Sequence, residues 1–197
     1  MPVVNTRFLS PRLGALAGLT ASVAFALLWI AAAYLDGGWT LGKMTLSELG
    51  DRSRPGAQLF NTAAVLAGAL GLLFSAGLYR VLSTSTLGKM SAAAMGLASV
   101  LLIGVGLFPI DTGSAHTAFS YAFFITAAAA MALIIVPAWR SHVLHRSIGA
   151  LTPVLLGIGI IGVATLEFPA AEALAVSLLL LWMALVSVRM LWHHPAR

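Results

Sequence analysis

Residues 116–139 read HTAFSYAFFITAAAAMALIIVPAW, a stretch that contains no Asp, Glu, Lys or Arg. A helix needs about 20 consecutive apolar residues to cross the hydrocarbon core of a bilayer. Five other runs have similar length and character, and the six predicted spans are 13–35, 57–82, 88–108, 116–139, 148–166 and 169–192. Strands of a membrane barrel would alternate in polarity, and these runs do not. The sequence therefore predicts an all-α polytopic membrane protein, a bundle of six transmembrane helices.

The overall composition is typical of the same class of protein. Of the 197 residues, 60% are hydrophobic and 9% are charged, whereas soluble domains carry about a quarter charged residues. This composition excludes a secreted disulfide scaffold, a disordered tail and an ordinary cytosolic enzyme. Because the chain has no cysteine, it also lacks thiolate metal sites and thiol nucleophiles. No linker interrupts the chain, so we expect a single transmembrane domain over residues 1–197.

The first apolar run has two interpretations. Arg7 and Arg12 form a basic segment, and the three alanines at 31–33 resemble a cleavage site, as in a secretory signal peptide. However, the run of about 23 residues is longer than the apolar core of about 7–15 residues that signal peptides have. We therefore interpret the first run as a retained helix.

Lysine and arginine are distributed unevenly among the connections between spans. Eight of the eleven lie at the two termini and in the second and fourth connections: Arg7, Arg12, Arg80, Lys89, Arg140, Arg146, Arg189 and Arg197. The other connections hold Lys43, Arg52 and Arg54 with all six acidic residues. The positive-inside rule then predicts a multi-pass protein of the cytoplasmic (inner) membrane with both termini in the cytoplasm. No basic patch with interleaved aromatic residues indicates nucleic-acid binding.

Polar residues concentrate in the three connections of the predicted extracytoplasmic face. These connections read TLSELGDRSRPGAQLFN (45–61), FPIDTGSAH (108–116) and LEFPAAE (166–172). The first belongs to a connection of about twenty residues, which is long for a compact domain and is typical of a functional segment. We expect the connections to converge on a small polar cavity, whose candidate residues are Ser47, Glu48, Asp51, Arg52, Arg54, Gln58, Asn61, Asp111 and His116.

Arg52 and Arg54 directly precede the second helix, whose first N–H groups are unpaired and whose dipole is positive at that end. Two guanidinium groups at such a place predict a ligand site for an anion such as a lipid phosphate. Gln58 and Asn61 lie one turn apart on the same helix and would line the polar pocket or hydrogen-bond to another helix. In the alternative, the arginines pair with Glu48, Asp51 or Asp111 and hold the outer loops together.

His116 is the histidine of these connections, and three roles are open to it. With Glu48, Asp51 and Asp111 it could complete an oxygen-rich metal site. It could instead be a general base beside Ser47, with Asp111 orienting the ring. No HExxH spacing is present to support a metal, the sequence identifies no cofactor, and a histidine that only hydrogen-bonds across a helix interface is the third interpretation.

The remaining acids and the glycines have simpler expected roles. We expect Asp36 to be solvated and Glu167 to be buried and paired. Glu172 lies near a helix start, where the helix dipole stabilises a carboxylate without any catalytic role. Glycines permit close helix approach and would allow an oligomer through two faces, which comprise Gly68, Gly71 and Gly77, and Gly157, Gly159 and Gly162. No charged residue lies in the middle of a span, which argues against an ion pathway.

Two motifs carry a resemblance to a known family. SELGDRSRPGAQLFN and, about forty residues later, GVGLFPIDTGSAH resemble the bacterial and archaeal membrane family called domain of unknown function 998. The matching residues are Ser47, Glu48, Leu49, Gly50, Pro55, Phe60, Asn61, Phe108, Pro109, Asp111 and His116. The resemblance implies six spans and no established reaction. The family is similar in layout to the eukaryotic FRAG–DRAM–SFK group, which is linked to lipid remodelling and membrane homeostasis.

Three functional hypotheses follow. In the first, the protein binds or organises a membrane lipid, such as an anionic one, through the polar cluster on the extracytoplasmic face. In the second, it is a membrane-embedded hydrolase or lipid-modifying enzyme that uses His116, Asp111, Glu48 and Ser47. In the third, it is a small-solute permease or channel subunit, which would need a continuous polar path that the central parts of the spans do not offer.

Overall fold

The computed structural model describes residues 10–193, and these residues form six long helices. They are α1 (Pro11–Asp36), α2 (Ala57–Val81), α3 (Thr86–Leu107), α4 (Ser114–Arg140), α5 (His145–Thr165) and α6 (Phe168–His193). Each is long and apolar enough to span a membrane, and no strand occurs in this part of the chain. The all-α six-helix prediction is therefore confirmed. Arg7 and Arg197, which contribute to the predicted orientation, lie outside the described residues.

Local signals in the sequence account for the helix ends. The Ser10 hydroxyl accepts a hydrogen bond from the Leu13 N–H (3.1 Å) with Pro11 in the first turn, the arrangement that starts a helix well. At the other end of α1, Gly37 has φ +67° and its N–H donates to the Ala33 carbonyl. Because the left-handed conformation costs glycine least, α1 stops there and the chain leaves the bundle.

Consecutive helices run antiparallel, as contacts at opposite ends of α1 and α2 illustrate. Gly14 of α1 lies against Gly77 of α2, whereas Ala32 lies against Gly56 at the start of α2. The first and last helices also pack together and close the bundle, because Gly18 of α1 contacts Ser187 of α6. The connections 37–56, 108–113 and 166–167 therefore lie at one end of the bundle, which we call the cap end, and the chain termini at the other, the terminal end.

The glycines predicted to allow an interface between copies differ in what they pack against. Gly68 and Gly71 pack against Ile103 and Ser99 of α3, and Gly77 packs against α1, so these three lie inside the bundle of their own chain. Gly162 meets Leu174 of α6, whereas a side chain at Gly157 would meet nothing within 4 Å. An interface between copies through glycine stays a prediction for the open part of α5.

Candidate functional site

The cap end is covered by residues 37–56, which we call the cap. Some of its hydrogen bonds join residues that are close in sequence. The Trp39 Nε1–H donates to the Thr45 carbonyl oxygen (2.7 Å). Glu48 turns back on the same segment, because its carboxylate accepts hydrogen bonds from the N–H and hydroxyl of Thr45. A short 3₁₀ helix (Ser47–Gly50) follows and buries Leu49 against the bundle. Glu48 thus stabilises the shape of the cap.

Glu172 of α6 attaches the cap to the bundle. The Leu46 N–H donates to Glu172 Oε2 and the Ser47 hydroxyl donates to Oε1, both at 2.7 Å. The Glu172 residue is only 7% exposed, so these hydrogen bonds lie in a largely dry environment. The position of Glu172 near the start of α6 agrees with the dipole argument, but its main contacts are with a segment about 125 residues away. A carboxylate one turn inside the apolar FPAAEALA segment is the signal that could have indicated this role.

Both arginines of the cap are engaged by carboxylates. Arg54 Nη1 contacts both oxygens of Asp36, at 3.0 and 3.1 Å, and the Asp36 side chain is 3% exposed. The expectation that Asp36 is solvated is therefore wrong, because the cap folds back over the end of α1 and brings Arg54 to it. Arg52 Nη1 lies 3.2 Å from Asp111 Oδ2, and its side chain remains 62% exposed.

The other two acids of the connections are local or solvent-facing. Asp51 accepts hydrogen bonds from the hydroxyl (2.7 Å) and the N–H (2.9 Å) of Ser53. These bonds, the hydroxyl first, lower the pKa of Asp51, and nearby Arg54 adds to the effect. Glu167 is exposed between α5 and α6, so the expectation that it is buried and paired is wrong. The connection is too short to fold back over it.

An open groove of about 570 Å³ lies beside the cap, between the start of α2 and the end of α3. It brings together all four residues predicted to bind a ligand, and its lining consists of Arg52, Arg54, Pro55, Ala57, Gln58, Asn61, Thr62, Val65, Gly106 and Leu107. The Asn61 amide also donates to the Gly50 carbonyl oxygen (2.8 Å), which holds the cap to α2. The groove therefore combines charged and amide side chains with apolar ones such as Val65 and Leu107.

A second, smaller cavity of about 30 Å³ lies inside the bundle beneath the cap, and we call it the chamber. Its polar lining comprises Ser47, Ser120 and Glu172, and most of the remaining wall is aromatic or aliphatic. His116 is 6% exposed and hydrogen-bonds to the Phe108 carbonyl oxygen through Nδ1 (2.8 Å) and to the Ser120 hydroxyl through Nε2 (3.1 Å). Sequence analysis overlooked Ser120, although it lies one helical turn after His116 on the same face.

The residues predicted for metal binding or catalysis are each held by different partners. Glu48 bonds to Thr45, Asp51 to Ser53, Asp111 to Arg52, and the Ser47 hydroxyl to Glu172. Over residues 10–193, no three histidine or acidic side chains are grouped closely enough to hold a metal ion. The structure thus brings the predicted ligand-binding set together in the groove and does not assemble the predicted metal set.

Comparison with known proteins gives one match. The model of a family described as "Protein of unknown function (DUF998)" matches residues 19–189. No curated protein and no solved structure matches the chain. The match covers all three connections at the cap end, including the groove and the chamber.

Proposed function

The chain belongs to the DUF998 family, and for this integral membrane protein we propose that the groove binds the headgroup of a phospholipid. The observation that carries the proposal is the convergence of Arg52, Gln58 and Asn61 on one open groove that also has an apolar lining. A phospholipid has the same combination, with a charged phosphate next to apolar chains. Val65 and Leu107 would contact the first part of the chains.

The guanidinium group of Arg52 is the phosphate ligand in this proposal. It carries five N–H donors, and its contact with Asp111 is made through Nη1. Its side chain is largely exposed, so the other donors can meet a phosphate with little rearrangement. Arg54 lines the same groove but is held by Asp36, and we assign it to the wall. Because both arginines have carboxylate partners, a zwitterionic headgroup fits the groove as well as an anionic one.

The proposal places the cap end outside the cytoplasm, with the protein in the cytoplasmic membrane. All six acidic residues of the chain lie at the cap end. The described part of the terminal end holds only basic charges, which are Arg12, Arg80, Lys89, Arg140, Arg146 and Arg189. This asymmetry supports cytoplasmic termini by the positive-inside rule, and the groove then faces the outer leaflet.

Cysteine labelling tests this orientation cleanly because the chain has no native cysteine. Lys43 in the cap and Ser83 between α2 and α3 are both exposed and lie at opposite ends of the bundle. In spheroplasts, a membrane-impermeant maleimide is expected to label the Lys43→Cys variant at once and the Ser83→Cys variant only after permeabilisation. The reverse pattern would contradict the proposed orientation.

Native mass spectrometry of protein released from nanodiscs tests the lipid site. We expect a retained phospholipid whose occupancy falls roughly tenfold in the Arg52→Ala/Gln58→Ala variant, since a hydrogen bond to a charged group contributes about 1.5–3 kcal/mol. Lys43→Ala is the matched control, because it removes one positive charge from the cap without touching the groove. Nanodiscs of phosphatidylglycerol and of phosphatidylethanolamine separate the anionic from the zwitterionic case.

Equal lipid occupancy in the groove variant and in the Lys43→Ala control would overturn the lipid-site proposal. That result would not support the hydrolase that uses Ser47, Glu48, Asp111 and His116. These four side chains have separate partners in the structure. The contact that favours an enzyme is a different one, between His116 and Ser120.

A further inference from the structure

The chamber is a separate site from the groove, on the opposite side of α2. The groove is lined by Gln58, Asn61 and Val65, whereas the chamber is lined by Phe60 and Ala64. Ser120 lines the chamber, and its hydroxyl contacts the imidazole of the buried His116. We propose that Ser120 and His116 are a serine–histidine pair that catalyses acyl transfer from short-chain acyl esters, with Ser120 as nucleophile and His116 as general base.

The contacts of His116 determine which nitrogen can act as a base. A carbonyl oxygen can only accept a hydrogen bond, so the 2.8 Å contact with Phe108 places the hydrogen of the neutral ring on Nδ1. The Nε2 lone pair is then directed at Ser120, 3.1 Å away, and the Ser120 hydroxyl donates to it. This is the relationship between nucleophile, base and orienting acceptor that serine hydrolases use, here with a backbone carbonyl as the orienting group.

Ser120 differs from most other hydroxyl residues of the helices. Most of these donate to a backbone carbonyl one turn earlier in their own helix, as Ser99 does to Met95 and Thr152 does to Ile148. Such a bond is the ordinary way to satisfy a hydroxyl inside a helix. The Ser120 hydroxyl instead donates to a base and lies at the wall of a cavity.

The size and lining of the cavity define the substrate class. The chamber adjoins a second, apolar cavity of about 50 Å³, and both are lined by Phe25, Leu102, Phe123 and Val176. We expect cavities of this size to admit a small acyl group such as acetyl and to exclude a long chain. The chamber also exceeds the roughly 10–15 Å³ that one water molecule needs, and its polar side chains can hold the water that hydrolysis consumes.

The reaction balances with water as the second substrate. Ser120 Oγ bonds to the ester carbonyl carbon while its proton passes to His116 Nε2. The bond from that carbon to the alcohol oxygen then breaks, and the alcohol leaves with the proton from Nε2. Water attacks the acyl group on Ser120 and gives a proton to Nε2, the carbon–Oγ bond breaks, and Oγ takes the proton back as the carboxylic acid leaves.

The test uses the full-length protein in detergent and in proteoliposomes, with ethyl fluorophosphonate as the covalent probe. We expect one probe mass on Ser120 in the wild type and none in Ser120→Ala. With p-nitrophenyl acetate we expect kcat/KM to fall at least 100-fold in Ser120→Ala, and p-nitrophenyl palmitate to be a poor substrate of the wild type. Ser177→Ala is the control, because Ser177 is exposed on α6 and donates to the Ala173 carbonyl.

The Ser120→Ala variant leaves the contact of His116 with Phe108 intact, so its melting temperature should stay within a few degrees of the wild type. Loss of labelling and turnover at unchanged stability supports catalysis, since a purely structural hydroxyl would not change either readout. A wild type that takes up no probe, a probe on another serine, or equal ester turnover in Ser120→Ala overturns the proposal.

Discussion

Replacing Glu172 by alanine is expected to detach the cap and to lower the free energy of unfolding by roughly 2–5 kcal/mol. The change removes the acceptor of the Leu46 N–H and of the Ser47 hydroxyl. Leu46 is 3% exposed, so its N–H has little access to water as a substitute. A buried polar group left unsatisfied costs about 1–3 kcal/mol. The same substitution also removes the acceptor of the half-buried Ser47 hydroxyl, which adds to the cost.

Thermal unfolding in detergent and limited proteolysis of the cap measure this effect together. Glu172→Ala should unfold at a lower temperature and be cut within residues 37–56 under conditions that leave the wild type intact. Glu172→Gln keeps one carbonyl oxygen as acceptor and should be intermediate in both assays. Glu167→Ala is the matched control because Glu167 is exposed in the neighbouring connection; a Glu172→Ala variant as resistant as this control would contradict the attachment role.

The second large effect is expected at Gly14 of α1, which packs against Gly77 of α2. A Cβ atom at Gly14 would lie 2.6 Å from Gly77 Cα and 2.9 Å from the Leu73 carbonyl oxygen, which are both backbone atoms. Neither can move away without separating the helices along their length. We expect Gly14→Val to cost about 3 kcal/mol or more, at or above the upper end of the range for overpacked sites.

Gly157→Ala is a control substitution in an open position. Nothing lies within 4 Å of a Cβ atom at Gly157, so only the helix propensity changes, which favours alanine by about 0.5–1 kcal/mol. Unfolding by added denaturing detergent should therefore show a marked loss of stability for Gly14→Val. The stability of Gly157→Ala should equal or slightly exceed that of the wild type. Similar stability for both variants would show that α1 and α2 do not need this close approach.

The part of the site that sequence analysis predicted best is the groove. Arg52 and Arg54 directly precede α2, and Gln58 and Asn61 lie one turn apart within it, so local chain geometry already places them on neighbouring surfaces. Their convergence on one groove follows from helical periodicity. The partner of Arg52, Asp111, was among the candidate partners because both belong to the same end of the bundle.

The contacts that sequence analysis did not predict connect distant segments. Arg54 pairs with Asp36 because the long cap returns to the end of α1, and many paths of the same length would not bring them together. Ser47 and Glu172 are separated by 125 positions and meet only where the cap crosses α6. Ser120 was overlooked for a different reason: a serine inside an apolar helix is ordinarily satisfied by its own backbone.

The sequence by itself determined that this is a membrane protein of six helices with its polar residues gathered at one end. That result depends on the length and hydrophobicity of each run, because a bilayer requires every spanning segment to satisfy its own backbone and to be apolar along about 20 residues. Tertiary structure alone decided which polar groups face the groove, which close the cap and which share the chamber. Those partners depend on the path of the cap and the rotation of each helix, since a hydrogen bond forms only within about 3 Å and a shift of one residue would break it.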